Sequence, residues 1–250
     1  MSAPYLQGVY LVEDRVTSYT QHPFNLGFVK GLNLEIPSPV TFFVGENGTG
    51  KSTLLEAIAV LSRFPVSGGS SNDLADDFAP ESDSPLAHAM RPVFTKTPRD
   101  GYFLRAEFLA HFASLLDERK DDPDFNDDPY KHYGGKSLHQ QSHGESFFSV
   151  LGNRVKQGLF LFDEPEAALS PQRQLALLMR IEELTRTGQT QFIIATHSPV
   201  LMTYPGASII SFDNDRLELV QYEETSHYQV TKGILENPRA YWEHLKRAGD

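Results

Sequence analysis

The chain alternates short all-apolar runs with longer amphipathic ones. "GVYLVEDRV" and "LNLEIP" read as strands on either side of a loop, and "TFFVG" as a buried strand. "STLLEAIAVLSRF" follows with apolar residues at Leu54, Leu55, Ile58 and Leu61, the spacing of one helix face. The pattern then lapses. "PVSGGSSNDLADDFAPESDSP" is rich in Gly, Ser, Asp and Pro and reads as a long loop or weakly structured insert. "GYFLRAEFLAHFASLLDERK" restores order as a strand running into a helix, before a second acidic break, "DDPDFNDDPYKHYGG". Both acidic breaks read as solvated loops.

After Gly135 the pattern is regular. "HGESFFSVLGNRV" reads as a helix, "GLFLFDEP" as a strand, and "PQRQLALLMRIEELTRTG" as a helix closed by Gly188. "TQFIIATHSP", "ASIISFD" and "RLELVQYEE" are three further strands. "NPRAYWEHLKRAG" is a terminal helix, with Asn237 as cap and Pro238 at the first position. Strands alternating with helices predict an α/β domain with a mostly parallel central sheet. No internal repeat and no heptad pattern is present.

Composition narrows the class. The 250 residues suffice for one large α/β domain, 1–250, with a small inserted subdomain. The absence of cysteine excludes disulfides and cysteine-ligated zinc or iron–sulfur centres. "MSAPYLQGVYLVEDRV" lacks the basic-then-apolar order of a signal peptide. No apolar run approaches the roughly 20 residues of a membrane span, so a cytoplasmic protein with no membrane partner is expected. The net charge of −11 runs against the basic surface usual in free-standing nucleic-acid binders. DNA is possible as a partner but unsupported by charge, and an unidentified protein partner is favoured.

Four stretches carry chemistry. The first is "FFVGENGTGKSTLLEAIAVL", which fits G-x-x-x-x-G-K-[S/T] (Walker A) between a strand and a helix. Gly45, Glu46, Asn47, Gly48, Thr49 and Gly50 would wrap a phosphate chain, with the amides of Lys51, Ser52 and Thr53 at a helix N-terminus that favours an anion. Lys51 would reach the β- and γ-phosphates of ATP, and the Ser52 hydroxyl would ligate Mg²⁺. The second is "GLFLFDEPEAALSP", where an apolar strand delivers Asp163 and Glu164 to its carboxyl end. Asp163 suits a Mg²⁺ role and Glu164 the polarisation of an attacking water; neighbours on a strand point to opposite sides, so two roles are expected.

The third is "IIATHSP". Alone, His197 would be read as structural; beside the other two motifs it reads as a γ-phosphate sensor. The fourth is "LHQQSHGESFFSVL", in which Ser142 and Gly144 open another helix. One phosphate chain has no use for two such termini from one subunit, so Ser142 and Gly144 are expected to cap the ATP of a second copy.

The order of Walker A, "SHGES", "LFLFDEPEAALS" and "ATHS" resembles the ABC-type ATPase class that includes the SMC and RecF families. More narrowly it is similar to small bacterial AAA-family or "predicted ATPase" proteins that carry SHGESF, DEPEAALSP and ATHSP. The resemblance covers most of the chain. It implies a P-loop NTPase fold, an ABC-type ATPase head with a small helical subdomain. That subdomain would be a variable helical and loop region at 65–140, between Walker A and the signature motif. It also implies a Mg²⁺-dependent ATPase that forms an ATP-dependent homodimer. Ser142, Gly144 and Glu145 stand in the signature motif, and His197 stands in the switch-histidine position. This sequence departs from the usual pattern where His143 replaces the first of two adjacent glycines and where Ser170 replaces the D-loop aspartate. Glu107, with Arg105 behind it, is the candidate for the Q-loop, and Phe24 and Tyr19 are candidates for stacking on adenine.

Only about ninety residues separate Ser52 from Ser142, and they lack heptads, so the head is bare of a coiled-coil arm. The remaining cluster, Glu223, Glu224 and His227 in "YEETSHY", reads as the end of a surface strand more readily than as a metal site. Three functional classes emerge. The leading one is an ATP-dependent dimerising switch in DNA-related, stress or defence processes that acts through a partner. The others are the ATPase subunit of an ABC transporter and a nucleotide-binding module without productive hydrolysis.

Overall fold

Three of the strands expected from the sequence are buried at every position: β3 (Val40–Val44), β6 (Gly158–Asp163) and β7 (Thr190–Ala195). Runs apolar on both faces belong in the middle of a parallel sheet covered by helices on each side. The computed structural model describes residues 3–66, 69, 83–98, 100–105, 114, 116–117, 120, 128, 130–131, 135–140 and 142–248. Within them, β3, β6 and β7 form the centre of a six-stranded sheet ordered β5-β6-β7-β3-β8-β9, with β5 at Gly101–Arg105, β8 at Ser208–Ser211 and β9 at Glu218–Val220. All neighbours are parallel except β9, which runs antiparallel to β8. A second sheet, β2-β1-β4, is antiparallel and consists of β1 (Leu6–Leu11), β2 (Asn33–Glu35) and β4 (Met90–Phe94).

The strand period of two divides the core into two layers. Phe43, Leu159, Leu161, Ile193 and Ala195 pack on the side of α1 (Lys51–Leu61), α2 (Pro85–Ala89) and the small sheet. Phe42, Val44, Phe160, Phe162, Phe192 and Ile194 pack on the side of α3 (His143–Arg154) and α4 (Pro171–Thr185). Serine caps open three of these helices. Ser84 accepts from the Ala87 N–H, Ser142 from the Glu145 N–H and Ser170 from the Arg173 N–H.

Two regions differ from the sequence expectation. Within 65–140, β4 joins the small sheet and β5 the edge of the large one, so part of the expected insertion is woven into both sheets. Most of the acidic stretches and of the helical pattern after Arg105 lies outside the described residues. Beyond β9, "YEETSHY" is not the end of a strand: a turn at Tyr222–Glu224 leads into α5 (Ser226–Glu236), capped by Thr225, whose Oγ1 accepts from the Tyr228 N–H at 3.3 Å. α6 (Pro238–Ala248) follows with Asn237 as its cap, as expected, its Oδ1 accepting from the Ala240 N–H.

The two sheets are joined by a buried polar side chain. Gln191, 0% exposed on β7, accepts from the Tyr5 and Leu6 N–H groups at 2.8 and 2.9 Å and donates to the Leu6 carbonyl at 2.8 Å. Removing it leaves three backbone groups near the start of β1 without partners. Gln191→Leu should therefore lower unfolding stability by about 3 kcal/mol, because each buried unsatisfied group costs roughly 1–3 kcal/mol. Urea denaturation measures this, and a loss under about 1 kcal/mol would show that β1 is held by other contacts.

Candidate functional site

The parallel register brings the carboxyl ends of four strands to one level. Phe43 pairs with Ala195, Asp163 with Ala195, and Val44 with Ser211. The residues just past each strand end meet at this edge: the Gly45–Gly50 loop after β3, Glu164 after β6, Thr196 and His197 after β7, and Asp213 after β8. The ladder continues past the strands through Glu164 N–H to the Ala195 carbonyl and Thr196 N–H to the Phe43 carbonyl, both 3.0 Å.

The loop is built around glycine. Gly45, Gly48 and Gly50 all have positive φ, and a Cβ on Gly50 would lie 2.7 Å from the Phe28 ring and 2.8 Å from Leu26. Phe28, Phe212 and Phe43 form an aromatic floor, with successive ring centroids 5.2 Å apart. Glu46, Asn47 and Gly48 make the exposed crest, and Ser52 and Thr53 sit half-buried in the first turn of α1. That first turn has no side-chain cap and no acidic residue, so its amides are open to an anion. Thr49 Oγ1 donates to the Glu46 carbonyl at 2.9 Å, and the Glu46 N–H donates to Asp213 Oδ1 at 3.1 Å.

Lys51 is 4% exposed and folds back onto its own loop, with Nζ donating to the Gly45 and Glu46 carbonyls at 2.8 Å each. Burial lowers its pKa, opposed by the surrounding carboxylates of Glu164, Asp163, Asp213 and Glu46. Ser52 Oγ donates to Asp163 Oδ1 at 3.0 Å. Arg105 lies on the other side of Asp163, its Nε 3.5 Å from Oδ2, and it also grips Glu56 at 2.5 Å. Burial pushes the Asp163 carboxyl up to about 6, against the pull of Arg105 and Ser52. A buried carboxyl that resists ionising, beside a hydroxyl, is a site that gains from a divalent cation. Among the described residues no group of three or more His, Asp or Glu is suited to a metal ion. One carboxylate and one hydroxyl nonetheless fit Mg²⁺, which keeps waters and takes substrate phosphate oxygens as its other ligands.

Glu164 adopts φ 46°, ψ 54°, left-handed geometry that costs a non-glycine residue about 1 kcal/mol or more. With this backbone geometry just past the strand, its Oε1 lies 3.5 Å from His197 Nε2. The His197 backbone N–H donates to Glu166 Oε1 at 2.6 Å, and its ring Nδ1 is 2.9 Å from Nε2 of His227. Burial keeps the Glu166 pKa high, opposed by the His197 amide.

Ser142, Gly144 and Glu145 form a second cluster at the start of α3. It is a full capping box: the Ser142 N–H and Oγ both donate to Glu145 Oε2, at 2.8 and 2.6 Å. Arg173 donates to Ser142 Oγ at 3.2 Å, and its guanidinium occupies the space a Cβ on Gly144 would need. The terminus that the sequence offered to a phosphate thus already holds a carboxylate and a cation.

The remaining candidates fall in different places. Phe24 is buried in the core and closed to a stacking base, whereas Tyr19 is at the surface with its hydroxyl donating to Glu13. Glu107 lies outside the described residues, and Arg105 is committed to Asp163 and Glu56. Glu224 caps the turn at Gln221, so Glu223, Glu224 and His227 do not converge as a metal site. Sequence reasoning gave no role to Glu166, Asp213 or Arg173. Glu166 stands inside the "DEPEAALSP" motif, and Asp213 comes just after a strand of the parallel set; those positions were the available signals for both.

The Asp163 carboxyl makes the metal-free protein pH-sensitive. Its folded pKa of about 6 lies above the ordinary value of 3.8, so the folded state takes up a proton between those values. Ionising it opposes folding, and that cost disappears as pH falls through the window. Above pH 7 Asp163→Asn should be more stable than wild type by up to about 3 kcal/mol without nucleotide or divalent cation, and the gap should close toward pH 4. Urea denaturation across the range checks this; an Asn variant less stable than wild type at neutral pH would refute it.

The family model described as "AAA domain, putative AbiEii toxin, Type IV TA system" matches residues 85–203, and a second, "AAA domain", matches residues 22–85. No curated protein matches the sequence. Among solved structures, CbiO1 from Clostridium perfringens, part of the ABC transporter complex CbiONQ, is 19% identical over 87% of this chain and 91% of its own, with a TM-score of 0.45. The SMC head bound to the C-winged helix domain of ScpA is 14% identical over 87% and 98%, with a TM-score of 0.46. The SMC head domain from Thermotoga maritima is 13% identical over 87% and 98%, with a TM-score of 0.45. Two AAA-domain models between them match the chain from residue 22 through residue 203, and its mostly parallel sheet with a glycine loop between a strand and a helix has the α/β fold of a P-loop domain.

Proposed function

We propose that this chain binds ATP with Mg²⁺, hydrolyses it, and uses the nucleotide to close two copies into a dimer that switches a partner in DNA-related, stress or defence processes. The observation that carries the hydrolysis reading is the convergence of Lys51, the Ser52–Asp163 pair and the Glu164–His197 pair at one sheet edge. The uncapped amides of α1 receive the phosphate chain. Lys51 exchanges two neutral carbonyls for charged phosphate oxygens, a stronger acceptor. Ser52 and Asp163 would hold Mg²⁺, which when bound screens charge on the phosphates. Glu164 orients a water and accepts its proton, and His197 offers Nε2 to the terminal phosphate.

Lys51→Ala should weaken ATP binding at least about tenfold, the loss of a charge-assisted contact. Unchanged affinity by calorimetry would sink the phosphate-loop assignment. Glu164→Gln should retain ATP binding and lose about a hundredfold or more in kcat. Near-normal turnover would place the base elsewhere.

Closure of two copies is supported by the second cluster. Ser142, Gly144 and Arg173 present a helix terminus and a cation to an incoming γ-phosphate, provided that Glu145 swings aside. In a two-fold pair the contact is reciprocal. Glu164→Gln should sediment as a dimer only with Mg-ATP, and adding Ser142→Arg should keep it monomeric while ATP still binds. A double variant that dimerises equally well would rule out this cluster as the contact.

A further inference from the structure

His227 reaches the site from α5, outside every motif that marks the nucleotide loop. The start of α5 is tied to the loop after β7: the Tyr222 hydroxyl donates to the Pro199 carbonyl at 2.9 Å, and the Tyr222 and Tyr228 rings meet edge-on at 4.7 Å. His227 Nε2 then lies 2.9 Å from His197 Nδ1, with the rings 5.0 Å apart and inclined by 61°. On the far side of His197, Nε2 is shut off from solvent without a hydrogen bond, facing Glu164 Oε1. Glu166 accepts from the His197 backbone N–H at 2.6 Å and so fixes the main chain from which the ring projects.

One hydrogen bond between two neutral imidazoles carries one proton, so one ring donates and the other accepts. If His197 donated from Nδ1, its Nε2 would present a bare lone pair to the Glu164 carboxylate and to any terminal phosphate. If His227 donates from Nε2, His197 keeps its proton on Nε2, facing those anions. The second arrangement alone is electrostatically favourable. It also leaves His227 Nδ1 bare, with the Ser226 hydroxyl 3.5 Å away as its donor. Burial favours the neutral form of both rings, and the Lys51 ammonium adds to this at His197.

We propose that His227 is a positioning residue that donates its Nε2–H to His197 Nδ1 and so holds His197 as the Nε2–H tautomer, aimed at Glu164 and the terminal phosphate. The tautomer follows from the ring geometry and the Glu164 carboxylate facing Nε2; its consequence for turnover rests on the ATPase reading. A structural contact would stabilise α5 without selecting a tautomer, and the test separates the two.

Nitrogen-15 NMR of the histidine rings in the full chain, at mildly alkaline pH and without nucleotide, reads the tautomers directly. Wild type and His227→Gln, whose amide also offers an N–H, should show His197 protonated at Nε2 and bare at Nδ1. His227→Ala should show a mixture. In Mg-ATP turnover, His227→Ala should lose roughly 10- to 100-fold in kcat, the range seen when the partner orienting a histidine is removed, and His227→Gln should recover most of it. ATP affinity should change far less than kcat, by about twofold, because His227 itself touches no phosphate and Lys51 and the loop amides are unaltered. His197 protonated at Nδ1 in wild type, or a His227→Ala spectrum with the wild-type tautomer, would overturn the proposal. Should His227→Ala not fold, wild type and His227→Gln decide it by the same spectrum. The expected tautomers in a protein that hydrolyses no ATP would uphold the positioning and refute the ATPase reading.

Discussion

The parallel register of β3, β6 and β7 is the constraint on which the site depends. Pairing Ala195 with both Phe43 and Asp163 sets three strand ends at one height. A side chain one residue past any of them then lands within reach of the others. A slip of one residue in this register would turn Asp163 toward the opposite face and exchange the two core layers. Phenylalanines packed on both sides of the sheet make such a slip costly, with Phe162 against Phe147 and Phe192 on one face and Phe43 against Phe212 on the other. The aromatic core thus secures more than stability: it fixes the positions of the polar groups at the edge.

Those polar groups are held in a poised state. Lys51 and Asp163 are both nearly inaccessible to water, and each finds only partial compensation. The lysine has loop carbonyls in place of anions, and the aspartate has a hydroxyl and one side of Arg105. An environment that disfavours both charges gains from any ligand that supplies their counter-charges together, which a triphosphate with a divalent cation does. The buried Nε2 of His197, which has no hydrogen-bond partner, fits the same pattern, since a phosphate oxygen could supply one.

The two helix termini show how similar local sequences reach different electrostatic states. α1 begins at a glycine with no side-chain cap and no acid in its first turn. α3 begins with Ser142 and closes on itself through Glu145, with Arg173 alongside. The first is open in the isolated chain. The second is satisfied internally and opens only if its carboxylate leaves. On the dimer proposed above, a carboxylate that a phosphate must displace would make association through α3 depend on the nucleotide.

Much of this was legible in the sequence. The fully apolar runs marked the central strands, the glycines at Gly45 and Gly50 marked the turn, and "DEP" and "THSP" marked the residues just past two of the strand ends. The Ser142–Glu145 capping box was also legible as S-x-x-E, although the resemblance to a signature motif pointed to phosphate binding instead. Hydrophobic period and turn chemistry are properties of chain neighbours, so a single sequence displays them. The pairing of β1 with β4, the reach of Asp213 to the phosphate loop, Arg173 over Gly144, and His227 against His197 belong to a different class. Each joins residues that are distant along the chain, and the order of strands in a sheet, which decides who meets whom, leaves no periodic trace in the sequence. Only the tertiary structure could place the second histidine, because its position is set by a turn after β9 and a hydroxyl bonded to Pro199, not by any pattern around His227 itself.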